Sequence, residues 1–138
     1  MAAPSLIQWS PKLSVGIAII DQQHQELVRI INELYEAMTT GQGRNVLGDI
    51  FNRLVKYTAD HFSTEERLMS QHSYPQAVDH KAKHADLVKT ALDLQEKFKS
   101  GKLSISLDTM TFLKEWLSKH ILVTDKVFGA FLSTKGVK

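Results

Sequence analysis

The sequence of 138 residues contains no cysteine, which excludes disulfide bonds, thiolate zinc sites and ordinary iron–sulfur clusters. It also lacks a bias toward one charge, because 17 basic and 15 acidic residues spread along the chain give a formal charge of +2. No basic cluster predicts binding to nucleic acid. No apolar run approaches the roughly 18 residues that a membrane span needs, and the N-terminal MAAPSLIQW does not resemble a signal peptide. We therefore expect a soluble cytoplasmic protein without membrane insertion.

Apolar residues recur at helical spacing in four segments. The sequence TTGQG at 39–43 ends the first segment, and the third opens at Pro75, a residue that suits the first turn of a helix. The predicted helices run from about Asp21 to Met38, from Asn45 to Ser70, from Pro75 to Gly101 and from Ser104 onward. Long helices joined by short loops predict an all-α, up-down-up-down four-helix bundle.

The length fits a single domain over residues 1–138. Within it we expect an extended N-terminal arm over 1–20, a bundle over 21–131 and a frayed tail over 132–138. The arm contains Trp9 and the alternating Val15, Ile17 and Ile19. Asp21 follows it as a plausible N-cap of the first helix.

Six polar residues occupy positions on the apolar stripes where leucine or isoleucine would be expected. A single histidine on such a stripe is usually a core residue with a hydrogen-bond partner. Five histidines and a glutamate, with at least one histidine on each predicted helix, indicate a shared partner instead, because burying each group unpaired costs several kcal/mol. The six are His24, His61, Glu65, His80, His84 and His120.

The spacing within each helix supports a common site. His61 and Glu65 are four residues apart, as are His80 and His84, so the members of each pair share one helix face. Asp125 lies five residues after His120, which on an ideal helix separates the two by roughly 140°. From spacing alone, either the last helix is distorted there or Asp125 is a surface residue.

The donor set narrows the choice of metal. Imidazole and carboxylate without thiolate suit iron, zinc, copper or nickel. Seven candidate ligands are too many for one tetrahedral zinc. They suit two six-coordinate ions if both carboxylates bridge, because a bridging solvent-derived oxygen then leaves one position for a small ligand.

Three stretches of the sequence carry a resemblance to a known family. WSPKLSVGIAIIDQQHQEL, HFSTEERLMSQHSYPQAVDHKAKH and WLSKHILVTDK resemble the hemerythrin family in its bacterial single-domain form, and the likeness extends from Trp9 to about Phe131. The order HxxxE, HxxxH, HxxxxD is a highly specific combination. The resemblance implies two iron ions, cycling between Fe2+ and Fe3+ and bridged by an oxo or hydroxo group, that bind dioxygen reversibly.

The same resemblance assigns the ligands. His80, His84 and His120 would hold one iron, and His24 and His61 the other. Glu65 and Asp125 would bridge both ions, which implies that the last helix is distorted between His120 and Asp125. Dioxygen would bind at the iron with two histidines.

Several residues beside these ligands invite interpretation. Leu27, Phe62 and Leu117 are core residues that we also expect to line an oxygen pocket. His72 matches no ligand position and is expected in an exposed loop, and Glu66 should point about 100° away from Glu65.

The expected function is oxygen storage, transport or delivery rather than catalysis, to a recipient that the sequence does not identify. The alternatives are a di-iron enzyme with peroxidase-like or nitric-oxide-reducing activity, an oxygen or redox sensor, and metal storage. No general acid that would favour the enzyme is evident near the pocket.

Overall fold

The computed structural model describes residues 6–138, apart from the side chain of Leu122, and residues 1–5 of the predicted arm lie outside this range. A short 3-10 helix over Pro11–Leu13 precedes the bundle. Five further helical segments follow: α1 (Ala18–Thr39), α2 (Arg44–Gln71), α3 (Ala77–Lys99), α4 (Leu107–Lys119) and α5 (Lys126–Thr134), with a π-helical segment over His120–Asp125 between α4 and α5.

The predicted all-α four-helix bundle is confirmed. Helix α1 packs against α2 and α4, and α2 packs against α3. The backbone remains helical from α4 through the π-helical segment into α5, so these three segments together form the fourth helix of the bundle. Short loops after Thr39, Gln71 and Lys99 make consecutive helices antiparallel. In residues 6–138, no helix is both long and apolar enough to cross a membrane.

The arm is shorter than predicted and is fastened to the bundle by side-chain hydrogen bonds. Asn32 Oδ1 accepts from the backbone N–H groups of Leu6 and Ile7, and Asn32 Nδ2 donates to the carbonyl of Ile7. Val15 packs so close to α5 that a Cβ at Gly129 would overlap the Val15 carbonyl oxygen. The arm therefore contributes to the core from both ends of its described length.

The N-terminal boundary of α1 differs from the prediction. The helix begins at Ala18, and Ile17 occupies the N-cap position, so Asp21 is not the cap. The Asp21 carboxylate instead accepts hydrogen bonds from the Val15 N–H and the Ser14 hydroxyl, at 2.8 Å and 2.5 Å. Ile19 lies in the helix rather than in the arm and is 42% exposed. The alternation of apolar residues at 15–19 therefore continues across the start of α1 and does not indicate where the helix begins.

The other boundaries shift by a few residues. Helix α3 begins at Ala77, because Pro75 and Gln76 form the preceding turn. Helix α4 begins at Leu107, where the Ser106 hydroxyl accepts from the Thr109 N–H. In place of a tail that frays from residue 132, α5 continues to Thr134, and the Val137 N–H donates to the Leu132 carbonyl. Such a bond closes the carbonyl end of a helix.

Candidate metal centre

Each helix of the bundle places at least one histidine on its inner face. Helix α1 supplies His24, α2 supplies His61 and Glu65, and α3 supplies His80 and His84. His120 and Asp125 begin and end the π-helical segment. All seven predicted ligands are buried.

The π-helical segment explains how residues five apart meet at one site. In a π-helix the backbone bonds span i to i+5, so positions five apart return to the same face. His120 Nε2 consequently lies 3.0 Å from Asp125 Oδ1. The distortion that the family resemblance implies is confirmed, and Asp125 is a buried residue of the cluster rather than a surface residue.

The seven side chains form two groups of donor atoms, and within each group the atoms lie within 4.8 Å of one another. Both carboxylates are common to both groups. One group contains three histidines and the other contains two. The groups are Glu65, His80, His84, His120 and Asp125, and His24, His61, Glu65 and Asp125.

Asp125 divides its two oxygens between the groups. Its Oδ2 lies 2.7 Å from His24 Nε2 and 3.7 Å from His61 Nε2. Its Oδ1 lies 3.1 Å from His80 Nε2 and 3.0 Å from His120 Nε2. A carboxylate with one oxygen toward each set of histidines has the orientation of a bridging ligand.

Glu65 faces the centre of the cluster with one oxygen. Its Oε1 lies 3.0 Å from His84 Nε2 and 3.6 Å from His61 Nε2. The other oxygen, Oε2, is buried and has no hydrogen-bond partner among the described residues. Because a buried carboxylate oxygen left unpaired is costly, this atom is available to a cation.

Two hydrogen bonds on the outer side of the cluster fix the tautomers of their histidines. His84 Nδ1 lies 3.0 Å from Glu66 Oε2, and His61 Nδ1 lies 2.7 Å from Gln23 Oε1. Both oxygens accept only, so each Nδ1 carries the proton that it donates. The Nε2 atoms of these two histidines therefore face the centre.

The nitrogen and oxygen atoms that face the centre are better suited to binding a metal than to contacting one another. His84 Nε2 lies 3.0 Å from Glu65 Oε1, and the Nε2 atoms of His24 and His61 are 3.0 Å apart. Acceptors this close repel unless protons or cations lie between them. Nitrogen and carboxylate oxygen without sulfur suit a first-row transition metal such as iron.

Without metal, the carboxylates and histidines stabilise each other's charged forms. Burial and the charge of Asp125 would raise the pKa of Glu65, but the facing histidines lower it to about 2. Burial would likewise raise the pKa of Asp125, but hydrogen bonds from histidines hold it well below its usual range. Burial would lower the pKa of His120, but Asp125 and Glu65 raise it to about 9. The same carboxylates raise the pKa of His80.

These pKa shifts predict how the stability of the metal-free protein depends on pH. The contribution of His120 is complete below its unfolded pKa of 6.5 and is lost as the pH rises through about 9. The contribution of Glu65 is complete above its unfolded pKa of 4.5 and is lost as the pH falls toward about 2. We therefore expect the melting temperature of chelator-treated protein to fall between pH 6.5 and pH 9.

Iron-loaded protein is the control for this measurement, because a metal-bound histidine carries no proton on the ligating nitrogen. Its melting temperature should change little over the same pH range. Chelator-treated protein that melts at the same temperature at both ends of the range would contradict the prediction.

A small cavity of about 10 Å³ adjoins the cluster. The three residues predicted to line an oxygen pocket, Leu27, Phe62 and Leu117, all line this cavity. Sequence reasoning missed three further lining residues: Thr58, Leu87 and Trp116. The Thr58 hydroxyl is not free, since it donates to the Leu54 carbonyl at 2.7 Å.

Two residues outside the predicted ligand set have surroundings that the sequence did not predict. Glu66, predicted only to point about 100° away from Glu65, accepts a hydrogen bond from His84 Nδ1. His72 belongs to neither donor group, as predicted, but it is half-buried at the C-cap of α2 rather than exposed.

Comparison with known proteins agrees with this fold and cluster. The family model "Hemerythrin HHE cation binding domain" matches residues 15–132. A bacteriohemerythrin of Stenotrophomonas maltophilia (strain R551-3) is 35% identical over 125 residues, covering 91% of this chain and 80% of that protein. A bacteriohemerythrin of Methylococcus capsulatus (strain Bath) is 33% identical over 130 residues, with 94% and 98% covered.

A solved structure titled as wild-type hemerythrin has the same fold. It superposes with a TM-score of 0.86 at 32% sequence identity, covering 91% of this chain and 97% of that one. A myohemerythrin of Theromyzon tessulatum is 30% identical over 122 residues, with 88% of this chain and 90% of that protein covered. The chain belongs to the hemerythrin family.

Proposed function

We propose that this protein binds dioxygen reversibly at a non-haem di-iron centre. His80, His84 and His120 hold one iron in this proposal, His24 and His61 hold the other, and Glu65 and Asp125 bridge them. The observation that supports it most strongly is the Asp125 carboxylate, which turns one oxygen toward each set of histidines. Membership of the hemerythrin family supports iron as the metal and dioxygen as the ligand.

The number of donors supports two ions. Seven ligands exceed what one ion accepts, and the two donor groups overlap only at the two carboxylates. Two ferrous ions held by these residues would together supply two electrons to bound dioxygen and would recover them when it leaves. The histidine-rich donor set contributes only two negative charges, which disfavours oxidation of the irons beyond the ferric state.

The residues around the small cavity favour binding over turnover. Leu27, Phe62 and Leu117 present apolar surface that excludes water. Among the described residues that line it, none carries a carboxyl, phenol or ammonium group. His61 and His120 also line it, but both are iron ligands in this proposal, so the cavity offers no free side-chain acid to protonate a leaving oxygen.

We infer a role in oxygen storage, transport or delivery from this arrangement. The proposal includes no enzymatic activity. It leaves the recipient of the oxygen open.

Metal content tests the proposed centre. Protein reconstituted anaerobically with ferrous iron, then freed of unbound metal, should contain about two irons per chain, as expected for the two donor groups. Elemental analysis measures this ratio directly. One tightly bound zinc per chain, which excess iron does not displace, would contradict the di-iron proposal.

A further inference from the structure

The outer nitrogens of the cluster histidines do not have equivalent surroundings. His24 Nδ1 and His80 Nδ1 are buried without a hydrogen-bond partner among the described residues. His61 Nδ1 donates to a neutral amide, that of Gln23, and His84 Nδ1 donates to a carboxylate, that of Glu66. One histidine of each set is thus oriented by a hydrogen bond on its outer side. Only in the three-histidine set is the acceptor of that bond negatively charged.

Glu66 and Phe62 together fix the ring of His84. The Phe62 ring stacks on the imidazole with a centroid distance of 3.9 Å and an interplanar angle of 6°. Stacking sets the plane of the ring, and the bond to Glu66 sets its rotation within that plane. Nε2 is consequently directed at the centre, 3.0 Å from Glu65 Oε1.

Gln23 performs the same orientation for His61 without charge. Its Nε2 donates to the Thr64 hydroxyl at 3.1 Å, which holds the amide with Oε1 toward His61. The Thr64 hydroxyl in turn donates to the Asp60 carbonyl. Gln23 therefore provides a neutral counterpart of Glu66 within the same protein.

The Glu66 carboxylate lies at the border between the cluster and solvent. Its side chain is 37% exposed, and it lines a surface groove of about 640 Å³ between α2 and α3. Asp93 lines the same groove but makes no hydrogen bond to a cluster histidine. Partial exposure means that solvent screens the charge of Glu66 without removing its contact with His84.

The geometry points to Glu66 as a positioning residue that tunes one half of the metal centre. It orients His84 and places a negative charge beside the three-histidine ion alone. This inference rests on the proposed function, because it requires iron in the cluster. It adds that the two irons differ in reduction potential through their outer hydrogen bonds as well as through their ligand number.

The direction of the expected change in reduction potential follows from the charge of Glu66. Oxidation adds positive charge to the centre, so a neighbouring carboxylate stabilises the oxidised state, and a carboxylate acceptor also makes the imidazole a stronger donor. Removing the charge with Glu66→Gln should shift the ferric-to-ferrous ratio of one iron at a fixed potential by about tenfold toward ferrous, a rise in midpoint potential of about 59 mV. Gln23→Glu should shift the other iron in the opposite direction.

Spectroelectrochemical titration of the iron-loaded full chain measures both midpoint potentials. The variants are Glu66→Gln, Glu66→Ala and Gln23→Glu, and Asp93→Asn is the control that removes a carboxylate from the same groove. Nitrogen NMR of zinc-loaded protein gives a second measurement. The Nδ1–H of His84 should persist in Glu66→Gln, which retains an acceptor, and should exchange freely in Glu66→Ala.

Iron content separates this inference from the proposed function. A wild-type chain that does not hold two irons would overturn both. If wild type, Glu66→Gln and Asp93→Asn all hold two irons, a raised potential in Glu66→Gln alone supports the inference. Equal potentials in the three proteins would overturn it while the proposed function stands.

Discussion

Replacing Glu65 or Asp125 by alanine should reduce the iron content from about two ions per chain to one or fewer. Each carboxylate belongs to both donor groups, so its loss weakens the binding of both ions at once. The ion with two histidines would then keep a single carboxylate ligand. Elemental analysis after anaerobic reconstitution measures the loss. The isosteric changes Glu65→Gln and Asp125→Asn separate the loss of charge from the cavity that alanine creates.

His72→Ala is the control for these variants, because His72 belongs to neither donor group. It should retain the iron content and the visible spectrum of the wild-type protein. Loss of iron from His72→Ala, or full iron content in Asp125→Ala, would show that the ligand assignment is wrong.

Replacing Leu117 by alanine should accelerate autoxidation of the iron-loaded protein in air severalfold. The side chain is buried and lines the cavity beside His61 and His120. Its truncation enlarges a cavity that now has room for about one water-sized molecule, so that water can enter beside the cluster. Water at this position supplies protons that the apolar lining excludes. The conversion of ferrous to ferric protein, followed by absorbance, measures the rate.

Leu113→Ala provides the matched control for Leu117→Ala. Leu113 is also buried on α4 but does not line the cavity. Both changes should lower the free energy of unfolding by about 2–5 kcal/mol, whereas only Leu117→Ala should change the autoxidation rate. Equal rates in the two variants would mean that Leu117 serves packing alone.

The helices and six of the seven cluster residues could be predicted from the pattern of the sequence. Helical periodicity identifies which residues face inward, and a histidine or glutamate on an apolar stripe is conspicuous because its burial is costly. Asp125 could not be placed in this way, since the α-helical period separates it from His120. Only the family resemblance implied the distortion that the π-helical segment provides.

The hydrogen bonds on the outer side of the cluster could not be predicted from helical periodicity, for a different reason. Glu66 contacts His84 on α3 although its position on α2 is 100° away from that of Glu65, because its long side chain reaches across the helix interface. Gln23 reaches His61 in the same manner. Periodicity reports the face on which a residue lies, but not the rotamer that it adopts or the neighbour that the helix packing brings to it.

The N-terminal arm shows a similar limit. Alternating Val15, Ile17 and Ile19 read as an extended segment, yet the helix begins between the last two. The carboxylate of Asp21 accepts a hydrogen bond from the Val15 N–H of the arm, rather than from an N–H at the start of the helix. Val15 packs against Gly129, more than a hundred residues later, and a local pattern carries no information about such a contact.

The most direct test of the central claim is a cycle of oxygenation and deoxygenation. Anaerobically reduced, iron-loaded protein is exposed to air and then to argon while its visible absorption is recorded. We predict a visible band that appears in air, disappears under argon and returns through many cycles without consumption of reductant. Steady consumption of reductant or of a co-substrate, at a rate far above autoxidation, would contradict reversible binding and indicate an enzyme.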